Sequence, residues 1–382
     1  MKIAIEAQRV FREKKHGMDI YALELIRNLQ EIDHKNEYVI FVKPDVDDSV
    51  LKETSNFKIV KLDGGFYPFW EQYALPRAAK EAGCQILHCT SNTAPVSCKI
   101  PMVITLHDII YMESSYAGIL SGSATPYQKF GNIYRKLLVP RLVNKSLKNI
   151  TVSHSEKNRI DKFFGLTGDK QINVVYNGVG VHFKPVTDKM ELLQAKEKYH
   201  LPENFFFFLG NTDPKKNVKR TLTAFSDFLQ RTGLNYYLVM ADYEQDKLQK
   251  LLDEIDNKSL INRIILAGYI PNDRLPSIYS QSKVFLYPSL RESFGIPMLE
   301  AMSCGVPVLS SNTESMPEIA GNAACLINPF KAEEITEAMI KLVNDEQLRK
   351  SLVRKGFERV SDFSWKITAQ SVLEQYREIG AE

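Results

Sequence analysis

The 382-residue chain predicts an α/β protein made of two doubly wound, Rossmann-like parallel-sheet domains. Three observations carry this reading. Short apolar runs alternate with helical periodicity from one end of the chain to the other, as parallel sheets covered on both faces require. Several runs, "FFFFL" from Phe205 among them, are apolar without alternation, the mark of strands buried on both faces. The length also exceeds what one core usually fills, so two domains of roughly 180 residues are the natural division.

In the first half the strand-like runs are Ile3 to Ala7, Tyr38 to Val42, Phe57 to Leu62, Ile86 to Cys89, Val103 to Leu106, Ile150 to Ser153 and Val174 to Tyr176. The opening "KIAIEAQRVFREKKHGMDIYALELIRNL" reads as strand, loop and amphipathic helix, with Gly17 at the helix start, where a backbone N–H can approach an anion closely. It is no G-x-G-x-x-G, so a dinucleotide fingerprint is not supported. Asp45 and Asp47 in "KPDVDDS" follow a strand, and an acidic surface turn is the better reading of them. "VITLHDIIY" places His107 and Asp108 at the end of the fifth strand, where a doubly wound sheet opens its ligand crevice. An imidazole there can exchange a proton or hydrogen bond with a substrate hydroxyl, with Asp108 orienting it; a satisfied structural histidine is the alternative. His154 in "TVSHSEKNRI" is either structural or close to an acceptor, and Ser153 and Ser155 suit helix capping.

The Gly residues and Pro185 of "NGVGVHFKPVTDK" interrupt periodicity and mark the linker, giving domains over 1–182 and 183–365. The second half carries runs at Phe205 to Leu209, Tyr237 to Met240, Ile264 to Ala267, Val284 to Tyr287, Val306 to Ser310 and Cys325 to Ile327. The turn after the first of these, "GNTDPKKN", holds Gly210, Asn211, Lys215 and Lys216 at a strand's C-terminal edge, where cations can meet a diphosphate. "LAGYIPN" ends a strand at Tyr269, which either stacks on a ligand or fills core.

The densest signal is "SKVFLYPSLRESFGIPMLEAMSCGVPVLSSNTESMPEIAG". A buried strand breaks at Pro288, and a helix starts near Pro297 and stops at Gly305. Backbone N–H groups of Ser293, Phe294, Gly295 and Ile296 then lie at the positive end of the helix dipole. Glu292 sits in the loop and Glu300 eight positions later inside the helix, so one carboxylate can face a sugar while the other reaches a ribose diol.

This segment resembles the Glu, seven residues, Glu signature of the retaining glycosyltransferases of family 4, which have the GT-B fold of two Rossmann-like domains facing across a cleft. The resemblance implies that Glu300 holds the donor ribose and Glu292 contacts the donor sugar. "GNTDPKKN" is similar to the family's "G…PRKN" loop, with Lys216 at its Lys, Lys215 at its Arg, and Asn211 where many members have a first basic residue. The loop at Tyr269 then holds the base, Gly17 stands for the family's first-domain glycine loop, and residues 366–382 cross back onto the first domain. The implied reaction is hexosyl transfer, with retention, from a nucleotide diphosphate sugar to a glycan or lipid-linked acceptor in cell-surface polysaccharide synthesis. GDP-mannose is favoured over a UDP-sugar by the "GNTDPKKN" loop. A nucleotide-sugar epimerase and a non-catalytic sugar-binding relative are the alternatives.

The formal net charge of +3 decides nothing about nucleic acid, and no nucleic-acid partner is expected from the motifs. Its distribution says more: residues 1–182 hold 24 Lys and Arg against 19 Asp and Glu, and the remainder 25 against 27. No acid occurs between Ser114 and Ser155, where Lys129, Arg135, Lys136, Arg141, Lys145 and Lys148 fall among aromatic and aliphatic residues. Residues 127–148 are therefore either a solvated face or a surface for anionic lipid. Five cysteines without a CxxC pair suit reduced thiols, no metal or other cofactor is expected, and Lys216 with backbone donors takes magnesium's place. With no apolar signal core and no long apolar run, the sequence predicts a cytoplasmic protein, able to lie at the inner membrane face.

Overall fold

The computed structural model describes residues 1–121, 125–210 and 213–381. Two compact units result, Met1–Asn177 with Trp365–Glu382, and Gly178–Ser364.

The first unit is built on seven parallel strands: β1 (Lys2–Glu6), β2 (Glu37–Val42), β3 (Phe57–Lys61), β4 (Ile86–Cys89), β5 (Met102–Leu106), β6 (Lys148–Thr151) and β7 (Asn173–Val174), in the order β3-β2-β1-β4-β5-β6-β7. Register is fixed by double burial, with Ile5 opposite Ile40 on one side and His88 on the other. Trp70, Leu87, Ile104 and Leu142 belong to one buried cluster on this sheet. The C-terminal helix Trp365–Ala381 belongs to this unit. Thr368 Oγ1 donates to the Tyr176 carbonyl at 2.7 Å, and the Tyr376 hydroxyl lies 2.6 Å from His88 Nδ1. Burial, then the neighbouring His107, drives the His88 pKa down to about 3, so the ring joins this contact as a neutral partner.

The second unit has six parallel strands: β8 (Phe205–Leu209), β9 (Tyr237–Ala241), β10 (Ile264–Gly268), β11 (Val284–Tyr287), β12 (Val308–Ser311) and β13 (Ala324–Ile327), in the order β10-β9-β8-β11-β12-β13. Phe206, Phe228, Leu238, Leu286 and Met339 fill one face. The strand expected from Val306 begins at Val308, because Pro307 has no N–H to give a ladder. In both sheets the chain winds outward on one side and then crosses to the other, so the order reverses between β1 and β4 and between β8 and β11. Such reversals open a crevice at the strands' carboxyl ends, where ligands bind in doubly wound folds.

Candidate functional site

At the reversal in the second unit, β8 runs into Gly210, where a Cβ would stand 2.1 Å from Phe208 Cε1 and only glycine fits. Asn211 lies outside the described residues. Asp213 then caps the tight turn Pro214–Lys216 by accepting from Lys215 N at 3.0 Å, and Asn217 turns the chain at φ 62°. This turn is tied to the loop after β11. Asn217 Nδ2 donates to the Pro288 and Pro329 carbonyls at 3.0 and 2.7 Å, and Leu290 N donates to the Lys215 carbonyl at 2.7 Å.

The turn and loop bring Lys216 and Glu292 together across 76 positions of sequence, Nζ to Oε1 at 2.7 Å, with both side chains largely buried. Lys216 Nζ also stands 5.1 Å from the Tyr287 ring centroid. Burial pushes the Glu292 carboxyl up, but Lys216 and then Lys215 outweigh it and hold it below the usual range, so it is ionised. Gly295 caps the helix Ile296–Ser303 at φ 104°, a backbone conformation strained for any residue with a side chain, and Met316 Cε, 2.6 Å from where a Cβ would lie, would also have to shift. Ser315 Oγ donates to the Glu292 carbonyl at 2.8 Å, fixing the loop from below. Ser293 and Ile296 are half-buried in this loop, while the Phe294 ring is buried edge-on against Phe363.

Glu300 lies on the same helix, buried, with the Tyr279 hydroxyl donating to Oε2 at 3.3 Å. Burial raises its pKa to about 8, against the smaller opposing effect of the Tyr279 hydrogen bond, so at neutral pH it is mostly protonated. The two carboxyls of this segment are thus held in opposite states, one by lysines and the other by desolvation. Tyr269 follows β10, two strands from β8 and so about 10 Å aside, and is half-exposed on the left-handed Gly268.

The reversal in the first unit is chemically different. His107 is buried and neutral: burial lowers its pKa, and Nε2 donates to the Thr90 carbonyl at 2.9 Å, leaving Nδ1 as an acceptor. Thr90 and the edge of Tyr21, not Asp108, orient the ring; Asp108 Oδ1 accepts from Ile110 N at 3.1 Å. His154 is exposed at the first turn of the helix His154–Phe164, edge-on to Tyr176. Gly17 starts the helix Gly17–Ile32 with open space around it, and Asp19 occupies that helix's first turn, accepting from His16 N and pairing with Arg9 at 3.0 Å. The helix therefore supplies its own carboxylate where an incoming anion was expected.

Sequence reasoning missed the centre of this second cluster. Glu71 sits on a π-helical turn, Trp70–Ala74, a geometry often kept for function. Its carboxyl accepts from Thr93 Oγ1 at 2.5 Å, the Tyr134 hydroxyl at 2.6 Å, the Tyr67 hydroxyl at 2.7 Å and Gln72 Nε2 at 2.8 Å. Burial is the largest influence and raises its pKa, with those hydrogen bonds opposing. Glu6, at the end of β1, accepts from Gln8 N and Thr90 N. The available signal was one acid inside the aromatic run "FYPFWEQYAL". Among the described residues no group of three or more His, Cys, Asp or Glu could hold a metal ion, and the five cysteines are unpaired.

Residues 16–183 match the model of Glycosyltransferase Family 4, and residues 189–359 that of Glycosyl transferases group 1. The chain belongs to the family 4 type of glycosyltransferases. This family 4 chain is 29% identical over 232 residues to O-antigen chain mannosyltransferase B of Escherichia coli, a match over 60% of each protein. It is 30% identical over 228 residues to the serotype-specific mannosyltransferase WbdA of the same species, over 59% of this chain and 28% of that one. The match thus spans less than two thirds of either relative. Among solved structures, Anabaena Alr3699/HepE in complex with UDP-glucose aligns with a TM-score of 0.75 at 16% identity, over 99% of this chain and 100% of the other. That likeness establishes the GT-B fold.

Proposed function

We propose that this chain moves a hexose from a nucleoside diphosphate sugar to a hydroxyl of a glycan or lipid-linked acceptor, with retention of configuration, in polysaccharide synthesis. The observation that carries the reading is the Lys216–Glu292 pair seated at the start of the helix Ile296–Ser303, with Glu300 buried one turn further on. An ammonium and a helix N-terminus together suit a diphosphate. Until the donor arrives, Glu292 neutralises Lys216. The diphosphate would then share that ammonium, freeing Glu292 to accept from a sugar hydroxyl.

In the step itself the bond from the anomeric carbon to the diphosphate oxygen breaks, and the electron pair goes to that oxygen. Lys216 and the helix dipole stabilise the charge developing there. The acceptor oxygen bonds to the anomeric carbon on the same face, and its proton passes to the departing phosphate. Glu300 takes the ribose diol. In the first unit, His107 Nδ1 and the Glu71 cluster suit a neutral, hydroxyl-bearing acceptor. No metal is needed where Lys216 meets the phosphate charge. The names of the relatives favour mannose, and with it GDP-mannose.

The test is transfer from GDP-mannose, UDP-glucose and UDP-N-acetylglucosamine in EDTA, with the anomeric configuration of the product read by NMR. An α-linked product from an α-linked donor supports the reading. Inversion, free altered sugar without acceptor, or turnover only with magnesium would overturn it.

A further inference from the structure

The second unit carries a groove at the opposite end of its sheet from Lys216. It has a volume of about 490 Å³, within the range of small-molecule sites. Its floor is apolar, from Pro307, Val353 and the half-exposed Phe357 ring. Its walls carry Lys283, Arg349, Lys350 and Arg354 against a single carboxylate, Glu346. Lys350 pairs with Glu346 at 2.7 Å, and Arg354 with Glu358 at 2.8 Å. Arg349 Nη1 donates to the Leu342 and Val343 carbonyls at 2.6 and 2.7 Å, and its guanidinium makes no direct ion pair among the described residues, although its charge reaches Glu346. Lys283 Nζ has no hydrogen bond or ion pair among the described residues. Burial first, then Arg349, lowers the Lys283 pKa, with Glu346 opposing.

Four cations met by two carboxylates around an apolar floor form an arrangement that costs stability unless something compensates it, because like charges in a partly desolvated groove repel. With Glu346 and Glu358 both counted, the four cations leave an excess of two positive charges, which matches a dianion better than a monoanion, and the floor suits a flat or aliphatic body attached to it. We propose that this groove binds a soluble phosphate monoester with an apolar or aromatic body, at a site separate from the one that takes the nucleotide. Lys283 precedes β11 and Pro288 follows it, so the two sites stand at opposite ends of one strand, about 13 Å apart at least.

Calorimetry with phenyl phosphate, inorganic phosphate and vesicles of phosphatidic acid in phosphatidylcholine tests this on the whole chain. Phenyl phosphate is expected to bind at least about tenfold more tightly than inorganic phosphate, and to stay bound when GDP or UDP saturates the other site. Lys283→Gln with Lys350→Gln should weaken it about tenfold or more, the loss of one or two charge-assisted hydrogen bonds. Phe357→Ala should bring phenyl phosphate down to the affinity of inorganic phosphate. Both variants are at the surface, and a cooperative thermal transition with a melting temperature no more than a few degrees below the parent's confirms their fold. Displacement by the nucleotide, affinity indifferent to these substitutions, binding to the vesicles alone, or no binding at millimolar phenyl phosphate would each overturn the proposal.

Discussion

The two sheet reversals have the same topology and opposite chemistry. At the β8/β11 reversal the chain sets a lysine, an ionised carboxylate and a helix start around Gly295. At the β1/β4 reversal it sets two buried carboxyls, Glu6 and Glu71, a neutral histidine, and a helix start already supplied with Asp19. The first arrangement lowers the free energy of an incoming anion. The second repels one and offers acceptors to hydroxyl groups. In the proposed reading, one fold used twice sorts a charged donor from a neutral acceptor by the charges it sets at the carboxyl end of its strands.

The largest expected effect is at the cationic reversal. Lys216→Ala should lower turnover about a hundredfold or more, because charge on the leaving oxygen grows toward the transition state, while donor affinity falls less. Steady-state kinetics giving a near-normal turnover number would move the role to Lys215 and weaken the contrast.

At the other reversal, Glu71→Gln keeps the shape and removes a carboxyl that accepts four hydrogen bonds. It should raise the acceptor KM roughly tenfold, as loss of charge-assisted hydrogen bonds does, and leave the thermal shift by nucleoside diphosphate unaltered. Equal damage to donor binding would erase the division of labour.

Stability should distinguish the carboxyls as well. Glu300 titrates at about 8 in the fold against 4.5 ordinarily, so between those values the folded state holds a proton that the unfolded chain has lost. Its contribution to stability is therefore present below about pH 4.5 and falls as pH rises towards 8. Glu300→Gln removes that slope, and its stability relative to the parent, from urea melts, should improve by about 2 kcal/mol or more between pH 5 and pH 8. A pH-independent difference would contradict the raised carboxyl.

The thirteen strands among the described residues were legible because double burial writes itself into the sequence as short unbroken apolar runs, and only their ends moved, as at Pro307. Glu292, Gly295 and Glu300 were legible for a similar reason: strand, turn and helix are contiguous there, so spacing maps onto geometry. Glu71 was not. Its partners Thr93 and Tyr134 lie 22 and 63 positions away, and the π-helical turn leaves no periodic trace. Nor could spacing reveal that Asp19 fills the helix start at Gly17, or that burial leaves Glu300 mostly protonated at neutral pH. The segment 127–148 came through as an exposed stripe of Tyr127, Phe130 and Leu137 on the helix Pro126–Lys145. Several of its cations are committed within the chain: Lys129 to the Leu120 carbonyl, Lys136 to those of Met112 and Ser114, and Lys148 to Glu378. The smallest effect is expected there. Vesicles of anionic lipid should bind the protein only a few-fold better than neutral ones, with the difference lost at high salt. Equal sedimentation with both would make the stripe an ordinary surface.

The contrast between the two reversals is tested most directly by counting protons when a nucleoside diphosphate binds. If Glu300 takes the ribose diol as proposed, hydrogen bonds donated by the diol favour its ionised form, and binding should release a fraction of a proton near pH 7.5. Calorimetry of GDP or UDP in two buffers of different ionisation enthalpy reads that number. Release is expected in the parent and in Glu71→Gln, and none in Glu300→Gln. No release in the parent, or release that persists in Glu300→Gln and disappears in Glu71→Gln, would contradict it and place the nucleotide at the other reversal.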